Sequence, residues 1–147
     1  MVGGFKVIAF DVQHDATQPF GYVISHPESG SILFLTDSYY SQYKFKGLSH
    51  MLIEANFDSS IVHERIMNGS LSPIVAARLR QSHMSIKTCM QLLEANDLSK
   101  VKNIVLIHLS SGNSNAKEFK SKVTGLTGKK VTVADKGVEV DFNLKTF

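Results

Sequence analysis

Residues 5–12 are apolar over most of their length, with Phe5, Val7 and Ala9 on one face and Ile8, Phe10 and Val12 on the other. That two-residue period predicts a β-strand. Pro19-Phe20-Gly21 marks a turn, and residues 22–25 begin a second strand that ends at the polar turn His26-Pro27-Glu28-Ser29-Gly30. Ile32-Leu33-Phe34-Leu35 is an unbroken apolar run, as in a strand buried on both faces. These three strands read as an up-down-up meander. Met51-Leu52-Ile53 predicts a fourth strand after an irregular aromatic stretch at 39–48. Helices come next: Ser72 caps one that starts at Pro73, and residues 85–96 place Ile86, Cys89, Met90, Leu92 and Leu93 at helical spacing. Ile104-Val105-Leu106-Ile107 is another buried strand, and Asn115 with Glu118 has the cap-and-Glu spacing of a helix start. Residues 131–134 and 138–142, split by Asp135-Lys136-Gly137, predict a terminal hairpin.

Strands first, then helices interleaved with strands, predict an α/β fold: a mixed β-sheet with helices on one face, one layer pair of an α/β sandwich. No repeat, low-complexity segment or linker divides the 147 residues, so one domain over 1–147 is expected.

The chemistry lies in the polar residues at the end of each apolar run. Residues 5–12 lead to His14-Asp15, and Ile32–Leu35 to Thr36-Asp37. Met51–Ile53 leads to Glu54, Asn56 and Asp58, and Ile104–Ile107 to His108-Leu109-Ser110. In a meander the first and third strands point the same way, so His14 and Asp37 should share a rim. Parallel strands joined by helical crossovers would bring the other two ends to it. Ligand sites of open α/β sheets collect there. Two imidazoles and a carboxylate suit Zn²⁺, Mn²⁺ or Fe²⁺, and three protein ligands leave a position for a water whose pKa falls toward ~7. Each residue alone also fits a loop cap or turn, and Asn56 and Asp58 also fit an Asx-turn. No compact metal motif is present: there is no H-x-H, no H-E-x-x-H and no cysteine pair.

Composition adds little. The net charge of +3 is mildly basic and suits a polyanion without requiring one. The single cysteine, Cys89, excludes an internal disulfide, fits a reducing cytoplasm and sits in an apolar helical pattern, as a buried thiol would. No apolar run approaches the roughly 20 residues of a membrane span, and residues 1–6 do not resemble a signal peptide. A cytoplasmic, non-membrane protein is expected. Tyr39, Tyr40, Tyr43 and Phe45 either stack on bases or pack under an irregular loop.

His14-Asp15-Ala16, Pro19-Phe20-Gly21-Tyr22 and Leu35-Thr36-Asp37 resemble the central motifs of metallo-β-lactamase-fold hydrolases. Glu54-Ala55-Asn56-Phe57-Asp58, Ser82-His83-Met84-Ser85 and His108-Leu109-Ser110-Ser111-Gly112-Asn113 resemble, in the same order, stretches of the YycJ-like (WalJ-like) branch. The likeness runs from about residue 5 to 140. It implies half of an αββα sandwich, with a dinuclear metal site in the cleft between two half-folds. By that resemblance His14 lies on the first metal, Asp37 bridges both metals and His108 lies on the second, with zinc or manganese as the divalent ion. Asp37 and His83 would be catalytic, while Asp15, Asn56, Asp58, Ser110 and Asn113 would contact substrate or support the ligands. The branch is associated with phosphodiester hydrolysis, including DNA exonuclease activity.

Two departures matter. Ser82 stands where the branch usually has Gly, and no segment matches the upstream H-x-H-x-D-H motif. Four of the usual seven ligands are thus missing, and the chain is expected to be a C-terminal half-fold. It would need an N-terminal half-fold polypeptide, or a second copy, to cover its sheet. The competing expectation is a non-catalytic module that dimerises or binds nucleic acid.

Overall fold

The computed structural model describes residues 3–145. A six-stranded sheet runs in chain order: β1 (Lys6–Asp11), β2 (Phe20–His26), β3 (Gly30–Leu35), β4 (His50–Glu54), β5 (Asn103–Ile107) and β6 (Lys130–Val133). The first three form the antiparallel meander, and β3 through β6 pair in parallel. Helices α1 (Ser59–Met67), α2 (Pro73–Ser82) and α3 (Ile86–Glu94) fill the crossover from β4 to β5, and α4 (Ala116–Thr127) that from β5 to β6. The architecture is mixed α/β.

Register sorts the two faces. Val23, Leu33, Met51, Ile104 and Val131 form one row across five strands. That row packs with Cys89 and Leu93 of α3 and Phe119 and Val123 of α4 to make the main core. Burial pushes the Cys89 thiol up to about 12, so it is inert packing. The opposite row, Tyr22–Phe34–Leu52–Val105, has no helix over it, and its first three members stay partly exposed. A small second core joins Phe57, Val62 of α1 and Ala76 of α2. No described helix is long and apolar enough to cross a membrane.

Local chemistry explains the element boundaries. The Ser72 and Asn115 side chains cap α2 and α4, as their sequence positions predict, and Ser85 caps α3. Helix α1 carries no strong apolar stripe and leaves no clear signal in the sequence; its cap is Asp58, which accepts from the Ser60 amide at 2.8 Å. Phe10 lies across Gly21 so closely that a Cβ there would meet its ring, which explains the glycine after Pro19-Phe20. Phe10, Tyr43 and Phe45 pack together, with ring centroids 5.0–6.4 Å apart, whereas Tyr39 and Tyr40 remain exposed.

The terminal hairpin is not formed. Residues 131–133 join β5 in parallel, because the α4 crossover delivers them in that direction, and residues 138–142 are not a strand. The tail instead turns at Gly137 and crosses the sheet edge opposite the strand ends. There Phe142 stacks on buried His50 at 4.5 Å and the Asp141 carbonyl accepts from Asn103.

Asp58 also meets Lys122 of α4 at 3.3 Å, so it ties α1 to α4 as well as capping α1. Replacing it with alanine should cost about 1 kcal/mol in urea unfolding and leave metal retention unchanged. Unchanged stability, or lost metal, would contradict that structural role.

Candidate metal centre

Parallel pairing fixes the convergence. Leu35, Ile53 and Leu106 lie side by side in register, so the residues just beyond them leave the sheet at one level. Asp37 leaves β3, Glu54 closes β4 and His108 comes directly after β5. His83 is the C-cap of α2, and β1, parallel in direction to β3, leads to His14 on the same rim.

Asp37, Glu54, His83 and His108 each offer a donor atom within 4.8 Å of the others. Glu54 is the hub and is fully buried. Its Oε1 lies 2.7 Å from His83 Nδ1 and 3.1 Å from His108 Nδ1, while its Oε2 accepts from the Ser38 amide at 3.1 Å. Asp37 Oδ1 stands 3.3 Å from His108 Nδ1 and 3.6 Å from His83 Nδ1. Bonds of about 2.1 Å to a tetrahedral ion would space their donors by roughly 3.4 Å. The Asp37 separations match that spacing, whereas the Glu54–His83 separation is that of a short hydrogen bond. Both carboxylates face the same Nδ1 of each ring, so Asp37, Glu54, His83 and His108 form one donor set, and an ion at His83 Nδ1 would replace its bond to Glu54.

His14 sits beside this set, its ring 5.8 Å from that of His83, and is not one of the four. Its Nδ1 donates to the Ser82 carbonyl at 2.9 Å, which leaves Nε2 as the free nitrogen, 3.5 Å from Asp15 Oδ1. Asp15 in turn faces Arg78 at 3.4 Å.

Among the described residues two that are not glycine have left-handed backbone, Asp37 at φ 50° and His108 at φ 58°. Both belong to the cluster, and such strain gathers at functional sites. The Asn56 amide donates to the His108 carbonyl at 2.7 Å, and the Ser110 amide donates to the Asn56 carbonyl at 2.9 Å. Asn113 donates to Ser110 Oγ and accepts from Arg65 at 2.8 Å. Asn56, Ser110 and Asn113 thus lock the loop that carries His108. Glu54 belongs to the strand-end pattern, yet the sequence alone gives it no site role; its signal is a carboxylate placed directly after a wholly apolar strand.

Burial pushes the Glu54 carboxyl up to about 7 and lowers His83 below its ordinary value. Neutral imidazole is the form that binds metal.

No protein-family model matches the chain, and no curated protein matches it. Solved structures share its fold. Igni18, a metallo hydrolase from the archaeon Ignicoccus hospitalis, superposes with a TM-score of 0.62 at 16% identity, over 98% of this chain and 55% of that one. Unliganded yeast PDE1 gives 0.56 at 17% identity, over 93% and 46%. CmlA, a diiron β-hydroxylase from Streptomyces venezuelae, gives 0.53 at 12% identity, over 90% and 31%. The chain therefore has a fold found in metallo-hydrolases and spans about half or less of the length of these proteins.

Between about pH 4.5 and 7 the folded chain keeps a proton on Glu54 that the unfolded chain has lost. The contribution of Glu54 to stability therefore falls as pH rises through that window and levels off above it. His50 and His83, both lowered by burial, act in the opposite sense, and His50, away from Glu54, cancels in a comparison with Glu54→Gln. In metal-free protein, the stability of Glu54→Gln relative to wild type should rise from pH 5 to 7 and then plateau. A difference independent of pH would contradict the burial argument.

Proposed function

We propose that this chain is one half of a metal-dependent hydrolase acting on phosphodiester bonds, the half that carries the carboxylate shared by its metal centre. The convergence of Asp37, His83 and His108 around buried Glu54 carries the reading. A module that only dimerised would have no use for a carboxylate buried against two imidazoles, since burying it is costly. The likeness to metallo-hydrolases and to yeast PDE1 supports the reaction class, and the motifs shared with the YycJ-like branch support a nuclease-type substrate.

In this reading Asp37, His83 and His108 hold a divalent ion, zinc or manganese, since nitrogen and oxygen donors suit either. When bound, such an ion lowers the pKa of a coordinated water toward ~7 and polarises a phosphoryl oxygen. Glu54, facing the same Nδ1 atoms as Asp37, offers the set a further carboxylate oxygen. Burial keeps His83 neutral, which favours ligation over proton donation. Asn56 holds the backbone of His108 in its strained conformation. His14, oriented by the Ser82 carbonyl, presents its free nitrogen beside the set, where a second ion of a completed site would lie.

The uncovered row Tyr22–Phe34–Leu52 is where a second half-fold packs. Partly exposed apolar side chains aligned across three strands are costly to leave in water. An H-x-H-x-D-H half-fold is the partner this reading requires, and a second copy of the chain is the alternative occupant.

After loading with zinc or manganese and desalting, the wild-type chain should retain about one ion, measured by plasma mass spectrometry. Asp37→Ala and His108→Ala should retain none, and Glu54→Gln, which removes a carboxylate of the set, should retain less than wild type. A wild-type chain that retains no ion, or variants that retain it fully, would contradict the proposal.

A further inference from the structure

The inference here rests on the metal-centre reading and concerns what holds its two imidazoles together. His83 and His108 come from different parts of the fold. His83 caps the end of α2, which packs with α1 around Phe57, Val62 and Ala76 in a core separate from the main one. His108 opens the loop after β5, where Leu109 packs against the main core. Their rings nevertheless stand edge to face, with centroids 5.0 Å apart. An ion can use both only if the α1–α2 pair and the loop keep one relative position.

One side chain joins the two. Arg65, in the last turn of α1, donates from Nη1 to Asn113 Oδ1 at 2.8 Å. Its Nε and Nη2 donate to the hydroxyl and carbonyl of Ser70, in the turn between α1 and α2. All three acceptors are neutral, so the fork geometry of arginine, rather than charge pairing, fits it to this place. Asn113 is buried, and its carbonyl also accepts from the Asp58 amide at the start of α1. Its Nδ2 passes the contact inward to Ser110 Oγ, and the Ser110 amide donates to the Asn56 carbonyl. The Asn56 side chain in turn holds the carbonyl of His108, whose backbone is left-handed. Gly112 fits the same arrangement. It lacks a positive φ, so its backbone needs no glycine, yet a Cβ there would strike Arg65 Nη1. The glycine makes room for the guanidinium.

We propose that Arg65 is a positioning residue of the metal centre, clamping the His108 loop to the α1–α2 pair that carries His83. It touches neither ion nor substrate and acts through Asn113 on His108. The clamp fixes the separation of the two imidazoles before an ion arrives. Ordering the ligands in advance lowers the cost of binding, so loss of the clamp shows as weaker metal affinity.

Zinc affinity, measured by competition with a chromophoric chelator, and amide exchange in metal-free protein test this. Arg65→Ala should bind zinc about tenfold more weakly or worse, and Arg65→Lys, with a single point of donation, should recover only part of the loss. Asn113→Ala should lose a similar factor, and the double variant little more than either alone. Gly112→Ala displaces the guanidinium while leaving α1 untouched, and should weaken zinc binding in the same way; it carries the test if Arg65→Ala does not fold. In metal-free Arg65→Ala the Ser110 amide should exchange faster than in wild type while the β5 amides keep their rates. A general loss of stability would not produce that pattern. Unchanged zinc affinity, additive losses in the double variant, or unchanged Ser110 exchange would overturn this inference alone. A wild-type chain that binds no zinc would overturn the metal-centre reading, and this inference with it.

Discussion

A single buried carboxylate organises the rim of this sheet. Glu54 closes β4, the strand between β3 and β5, and parallel register brings the ends of all three to one level. Removed from water, Glu54 meets two imidazoles on one oxygen and the Ser38 amide on the other. The same contacts orient His83 and His108. The groups that relieve the desolvation of the carboxylate are therefore the groups an ion would use, and stability and chemistry compete for them. The left-handed backbone at Asp37 and His108 belongs to this arrangement, because each strand must turn sharply to aim its side chain back at the hub.

Much of this was legible in the sequence, because a strand's apolar run and the polar residue ending it are local features. The meander, the buried central strands, the caps Ser72 and Asn115 and the polar residues at four strand ends could all be read locally. Features that depend on distant partners could not. His14 turns its ring to the carbonyl of Ser82, 68 residues away, and that contact sets which nitrogen is free. Glu54 is a hub only because His83 and His108, 29 and 54 positions later, fold back onto it. The 138–142 segment alternates like a strand, but a parallel β6 leaves its direction unsuited to a hairpin, and Phe142 finds His50 instead. Helix α1 escapes a sequence reading because its inner face offers Val62 and little else.

The same topology leaves one face of the sheet without helices. Both crossovers from β4 onward place helices against the Leu33 row, and Tyr22, Phe34 and Leu52 on the other face stay partly exposed. The C-terminal tail covers only the end around His50 and Asn103. The metal cluster lies at the other end of these strands, at the border of the uncovered face. A second half-fold seated there would at once cover the apolar row and add ligands to the rim.

The most direct test of the central claim is X-ray absorption at the zinc edge of the zinc-loaded chain. An ion held by His83, His108 and Asp37 predicts a shell of nitrogen and oxygen only, at about 2.0–2.2 Å, with the outer-shell scattering of two imidazoles. A shell containing sulfur, or one without imidazole scattering, would place the ion elsewhere and contradict the account.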